Sequence, residues 1–215
     1  MNNYQRSPDV LYRLFAYDAD GNRVKATVNG VTTAYVGNHY ESVARPKVWV
    51  DEAVPAGATL VNYGGDTWTW VSSNPPPASG ALAHPSAIVA GEHQHYFYGA
   101  TQTLFVPPGS TLFAHVYLDP ANVPSEVMLQ WNDGNWEHRA YWGANNLPWG
   151  VDGTDSRRYR RPLPLAGQWV RLEVPASSVG LEGRTLNGMA FSLYGGRATW
   201  DQAGVDGPTV TTSTK

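Results

Sequence analysis

The stretch Thr111-Leu-Phe-Ala-His-Val-Tyr-Leu118 alternates without a break. Successive side chains of a strand point to opposite faces, so Leu112, Ala114, Val116 and Leu118 form one wholly apolar face, with Phe113, His115 and Tyr117 on the other. The apolar face demands a core on one side of a sheet. The mixed face is open to solvent, a ligand or a further layer. Downstream, residues 125–131, the turn Asn132-Asp133-Gly134-Asn135 and residues 136–142 read as a hairpin in which Trp136, His138 and Trp142 share one side and Glu137, Arg139 and Tyr141 the other. Further strands are predicted at 47–50, 67–72, 87–90, 93–98, 103–106, 168–174, 188–194 and 198–201, while Pro175-Ala-Ser-Ser-Val-Gly-Leu181 is long enough only for a turn of 3₁₀ or α helix. Many short strands with no helical period between them predict an all-β chain, an antiparallel β-sandwich or barrel.

Composition agrees. Nine Trp and twelve Tyr stand beside 22 Gly and 16 Pro, strand formers with turn formers. Only 15% of residues are charged and the formal net charge is -3, so no basic field draws in nucleic acid or anionic lipid. No apolar run reaches the roughly 18–20 residues that span a bilayer, so no membrane insertion is expected. The start, Met-Asn-Asn-Tyr-Gln-Arg, lacks the form of a signal peptide, which suits a cytoplasmic protein or an excised fragment. Cysteine is absent, which removes disulfides, thiolate nucleophiles and Cys-based metal sites.

The first forty residues have another texture. Leu11–Asp18, the turn Ala19-Asp20-Gly21-Asn22, Arg23–Val28, Asn29-Gly30 and Val31–Val36 read as a small meander, with Val24, Ala26 and Val28 on one face and Arg23, Lys25 and Thr27 on the other. The string Tyr17-Asp-Ala-Asp-Gly-Asn-Arg23, with Asn29-Gly30 and Ala34-Tyr-Val-Gly-Asn-His-Tyr-Glu41 after it, resembles the RHS/YD repeats of large bacterial cell-surface and secreted proteins. The resemblance covers about residues 11–41 and little more than one repeat, so the β-shell that many repeats build does not carry over. It implies an extracellular or cell-surface piece of a longer polypeptide, with Met1 an added start. The domains expected are a meander over 1–42, a β-sandwich over 43–206 and a linker or tail over 207–215.

Trp131, Trp136, Trp142 and Trp149 are four of the nine Trp, set among Asn, Asp, Glu, His and Arg. Sugar rings need such a mixture, because an apolar C–H face stacks on an indole while hydroxyls need donors and acceptors. The candidate ligand-binding residues are therefore Trp131, Trp136, Glu137, His138, Arg139, Tyr141, Trp142 and Trp149, with Trp68 and Trp70 as a second platform or a lid on the core. Trp49, Trp169 and Trp200 read as packing residues. The run Val170–Leu181 followed by Leu186–Asp201 resembles the closing strands of the galactose-binding-like and laminin-G-like jelly rolls that serve as carbohydrate-binding modules. That resemblance implies a non-catalytic polysaccharide binder, of plant cell-wall or other β-glycans, and a structural Ca²⁺ between Asp51, Glu52 and Asp201. No organic cofactor is implied.

Two other readings stand beside it. His93 and His95 lie on one face of a strand and His115 on a later strand, so three imidazoles could hold a transition metal in a carbohydrate-active enzyme. No Glu follows His95 at the cupin distance. Glu92, Glu126, Glu137, Asp133, Asp152 and Asp155 could supply a glycosidase pair, but no spacing marks one. No Gly-x-Ser-x-Gly or Gly-x-x-x-x-Gly-Lys motif is present. The other reading, a structural or adhesion domain of a surface protein, requires most tryptophans to be buried. Arg157-Arg-Tyr-Arg-Arg161 reads as a solvated loop, with contact to acidic sugars or to the meander as alternatives.

Overall fold

The computed structural model describes the strands β1 (Arg13–Tyr17), β2 (Arg23–Val28), β3 (Val31–Val36) and β4 (His39–Val43), and residues 46–207. β1 to β4 pair in chain order as an antiparallel meander. The turns between them, the side-chain faces of Val24, Ala26 and Val28, and the tail beyond residue 207 lie outside the described residues. The chain divides into two compact units, one carrying this meander and the other Lys47–Asp206.

The second unit contains β5 (Lys47–Val50), β6 (Thr59–Tyr63), β7 (His84–Pro85), β8 (Glu92–Tyr98), β9 (Leu104–Phe105), β10 (Thr111–Leu118) and β11 (Glu126–Asn132). It continues with β12 (His138–Gly143), β13 (Arg158–Arg161), β14 (Trp169–Pro175), β15 (Thr185–Leu186), β16 (Gly188–Tyr194) and β17 (Ala198–Asp206). A 3₁₀ turn, Ala176–Val179, follows β14 where a short turn is predicted. One sheet runs β14-β10-β17-β5, with β7 also on β17, and the other runs β13-β12-β11-β16-β8-β6. All pairings of these two sheets are antiparallel except β12 with β13.

The two sheets share one core. From β10 come Leu112, Ala114, Val116 and Leu118, the apolar face of the decisive stretch. From the six-stranded sheet come Val127, Leu129 and Trp131, Ala140 and Trp142, Met189, Phe191 and Leu193, and Phe97. Fully burying a Leu or Phe side chain contributes about 1.5–3 kcal/mol, so a carboxylate at Val116, which is 0% exposed, would break the sandwich. The opposite face of β10 is not free. Phe113 is sealed under the Arg171 guanidinium, 4.0 Å from its ring centre. Gly204 is required where β17 meets β5, since a Cβ there would stand 2.1 Å from the Lys47 carbonyl oxygen.

Several strand expectations are corrected. Residues 67–70 and 87–90 join no strand, and of the first expected strand only Val71 pairs, in an isolated bridge with Ala83. The first of these segments lies over the sheet edge, held by the Trp68 indole N–H donating to the Tyr96 carbonyl at 3.0 Å. β6 was not expected, and Arg158–Arg161 is an edge strand where a loop was read. β17 runs on to Asp206 across a bulge, in which Gln202 and Ala203 together oppose Ala114 and Gln202 adopts φ +33°.

Candidate functional site

Because the core takes one face of the six-stranded sheet, alternation sends Gln94 and Tyr96, Gln130, Arg139, Ala190 and Ser192 to the other. Register then gathers them: Gln130 stands opposite both Arg139 and Ala190, and Gln94 opposite Ser192. Their side chains form one connected floor. Gln130 Nε2 donates to Gln94 Oε1 at 2.7 Å and to Ser192 Oγ at 2.8 Å, and Ser192 Oγ donates to Gln94 Oε1 at 2.7 Å. Arg139 Nε donates to Gln130 Oε1 at 2.7 Å, and its Nη1 to the Ser156 carbonyl at 3.0 Å and to Glu137 at 3.4 Å. Burial presses the Arg139 guanidinium below its usual range, and the Glu137 carboxylate opposes that. Fixed donors and acceptors in a partly desolvated floor lose little freedom when a ligand arrives.

Two indoles rise from this floor. Trp136 and Trp149 are both half-buried and line a cleft of about 200 Å³ with Gln94, Tyr96, Gln130 and Arg139. Each is braced edge-on by a tyrosine: Tyr96 against Trp136 at 5.6 Å and 88°, Tyr63 against Trp149 at 6.0 Å and 67°. The expected sidedness of Trp136 is corrected. β12 begins only at His138, and the Glu137 amide bonds back to Asn135 Oδ1 at 2.8 Å, so the turn breaks the alternation that would have put Trp136 with the core.

Trp149 owes its place to residues 144–157, which pack on the outer face of β11 and β12. The buried Glu126 carboxylate accepts the Asn146 and Leu147 amides at 2.5 and 2.9 Å and pairs with Arg157 at 3.4 Å. Burial raises the Glu126 carboxyl, those amides and Arg157 lower it, and the net direction is upward. Beneath the loop Met128, Tyr141 and Leu147 form a small core against which Trp149 rests. The Tyr141 hydroxyl donates to Asp152 at 2.8 Å, and burial with this bond pushes its pKa up to about 12. Gly150 belongs to the same support: at φ +80° a Cβ would meet the Ser156 carbonyl at 2.2 Å and Arg139 Nη1 at 2.9 Å.

The other expected ligand residues are elsewhere. Trp131 and Trp142 are 1% and 4% exposed and face the core, because they alternate in register with Val127, Leu129 and Ala140. His138 shares their side, bonded to the Val179 carbonyl at 2.6 Å and lying 3.3 Å from Asp133. Glu137 is exposed at the cleft margin, and Tyr141 is buried under the loop. Trp68 and Trp70 stack at 6.1 Å and pack on the core as a lid.

The histidine triad does not form. His93 and His95 lie in the interior on β8, whereas His115 lies on the outer face of the opposite sheet, near the Gln202 carbonyl. The buried partners of His93 and His95 are instead Asp66, at 3.3 and 3.1 Å, and His84, whose Nδ1 is 2.9 Å from His95 Nε2. A carboxylate only accepts, so both Nδ1 atoms facing Asp66 carry hydrogen, and His95 Nε2 and His84 Nδ1 share one further buried hydrogen bond. Burial alone would raise the Asp66 carboxyl. The bonds from His93, His95 and the Ala87 amide outweigh it and hold the group far below its ordinary range. Burial keeps His84 well below the usual imidazole value. Among the described residues no three His or acidic side chains are gathered to hold a metal ion.

Asp51, Glu52 and Asp201 do meet around residues 78–81. Glu52 Oε1 accepts the Ala81 amide at 2.7 Å, and Asp201 accepts Ser79 and Gln202 amides at 3.0 and 2.8 Å. Asp51 Oδ1 is buried without a hydrogen-bond partner. Burial and the neighbouring Glu52 raise the Asp51 carboxyl, and burial and Asp51 raise that of Asp201. The three acids are not gathered as a ligand set, so the fit to a hard cation rests on the orphaned Asp51 oxygen, and backbone oxygens would have to complete its shell.

The arrangement defines a β-sandwich with an aromatic-edged polar cleft on one sheet face. No family model matches the chain, and no curated protein matches it. Similar solved structures include the glycoside hydrolase domain of Endo-D from Streptococcus pneumoniae R6, with a TM-score of 0.42 and 12% identity over 69% of this chain. This chain spans 21% of that one. The CBM22-1 xylan-binding domain of Xyn10C from Paenibacillus barcinonensis gives 0.43 and 9%, covering 77% of this chain and 97% of that one. The K3 cleaved adhesin domain of Lys-gingipain from Porphyromonas gingivalis w83 gives 0.40 and 18%, covering 72% and 92%.

Proposed function

We propose that the outer face of the six-stranded sheet binds a β-linked polysaccharide chain, without chemistry, by stacking pyranose rings on Trp136 and Trp149. The observation that carries this is the pairing of two half-exposed, tyrosine-braced indoles with a floor of Gln94, Gln130 and Arg139. Gln94 Nε2 and Arg139 Nη2 make no hydrogen bond among the described residues and are the donors left for hydroxyls. Glu137, at the margin, is an acceptor. Each stacked ring contributes about 1–3 kcal/mol by analogy with bases on aromatic platforms, or roughly 5–150-fold in affinity per indole. Calorimetry against soluble β-glucan and xylan tests the reading: binding that Trp136→Ala and Trp149→Ala each weaken supports it, and no binding to any glycan tested would defeat it.

Three further parts of the account rest on the sequence. The meander is a remnant of an RHS/YD-type repeat. The chain is a piece of a longer extracellular or surface polypeptide. A Ca²⁺ held by Asp51 and Asp201, with Glu52 beside it, ties the end of β5 to β17 as a structural ion.

A further inference from the structure

A second cleft, of about 550 Å³, opens at the sandwich edge where β13 and β14 end the two sheets. Its wall is built from Pro162, Leu163, Pro164 and Leu165, the last 73% exposed, and its charges come from Arg160, Arg161, Arg171 and Glu173. Arg171 is neutralised by Glu173 at 3.1 Å and by Asp206, and the neighbouring Arg158 by Asp155 at 3.2 Å. Arg160 and Arg161 have no acidic partner among the described residues. Among the described residues the half-buried Arg160 guanidinium makes one hydrogen bond, to the Ser178 hydroxyl at 3.5 Å. Burial and the charges of Arg161 and Arg158 press Arg160 below its usual range, a repulsion that no acidic partner among the described residues offsets.

Cations on an edge strand commonly serve to block strand addition. That accounts for the exposed Arg161. It does not account for Arg160, which is drawn into the cleft beside a like charge at a cost. An anion lying between the two guanidinium groups would relieve that cost, and planar forks match carboxylates in bidentate fashion. Among the described residues the one aromatic ring that lines the cleft is Trp142, 4% exposed and turned to the core, which leaves a nucleobase no open face to stack on, whereas Leu165 and the two prolines offer an apolar wall for the C–H face of a sugar.

We infer that Arg160 and Arg161 form a second binding site, separate from the Trp136 and Trp149 face, for a carboxylated polysaccharide of the uronic-acid class. Affinity electrophoresis and calorimetry of the full chain on polygalacturonate at about 20 and 200 mM salt test it, with neutral β-glucan and heparin as the other arms. The expected result is polyuronate binding that weakens at least tenfold on Arg160→Gln/Arg161→Gln and falls with salt, while glucan binding stays unchanged and the double variant melts no lower than the native chain. Polyuronate binding that survives the double substitution, no polyuronate binding at low salt, or preference for heparin over polyuronate would each overturn it. Loss of glucan binding in Trp136→Ala with polyuronate binding intact separates this site from the first.

Discussion

The buried His84, at the end of the chain that runs through His95 to Asp66, makes the sandwich sensitive to mild acid, and the size of the effect follows from linkage. In the unfolded chain His84 titrates near the ordinary value of about 6.5. In the fold it is held neutral well below that value by burial. Below pH 6.5 the unfolded chain therefore binds one more proton, so stability falls as pH falls, by about 1.4 kcal/mol per pH unit. From pH 7.5 to 5.0 the loss from His84 alone reaches at most about 2 kcal/mol. Asp66, whose folded value is depressed, adds stability that stays in place over this range and is lost only at much lower pH. The test is urea unfolding at pH 7.5, 6.0 and 5.0 for the native chain and for His84→Leu. The variant costs about 1–3 kcal/mol at pH 7.5, because His95 Nε2 loses its buried hydrogen-bond partner, but its midpoint varies less with pH by the His84 share. Parallel pH dependence in the two proteins would refute the reasoning.

Other outcomes are expected from separate parts of the molecule. Trp131→Ala should destabilise the sandwich by about 3–5 kcal/mol in thermal or urea unfolding, with glycan affinity per folded molecule unchanged, since this indole faces the core. Glu126→Gln leaves Arg157 without its buried partner, so a loss of about 3 kcal/mol should come with weaker glycan binding as the loop carrying Trp149 loosens, which calorimetry beside denaturation would read. Millimolar calcium should raise the melting temperature of the native chain, chelation should reverse the shift, and Asp51→Asn should abolish it. An unchanged melting curve in calcium would remove the ion from the account.

Much of the sandwich is legible in local alternation. The strands at 111–118 and 188–194 carry their burial pattern in the sequence, and β10 alone implies a sheet with one apolar face. The indole-rich stretch that holds Trp136 and Trp149 is legible too, but the sorting of its tryptophans is not. Trp136 sits in a turn held by Asn135, two residues before the strand whose period was applied to it. Trp131 and Trp142 fall to the core side only because β11 pairs with both β12 and β16, a long-range register. The polar floor was missed although Glu92-His-Gln-His-Tyr-Phe-Tyr98 contained a clue: if His93, His95 and Phe97 face the core, Gln94 and Tyr96 must face outward. The partners of Gln94, namely Gln130 and Ser192, lie 36 and 98 residues away and meet it only through sheet order. His84 and Asp66 joined His93 and His95 in the same way, from loops that no period marks. β13 was hidden by its arginines, which occur where an edge strand meets water.

Calorimetric titration of one β-glycan into the native chain, Trp136→Ala and Trp149→Ala, with far-ultraviolet spectra showing three equally folded proteins, goes most directly to the binding face. The account predicts that each substitution weakens binding at least fivefold and that ligand protects the native indoles from a soluble quencher. Equal affinity in all three proteins would contradict it.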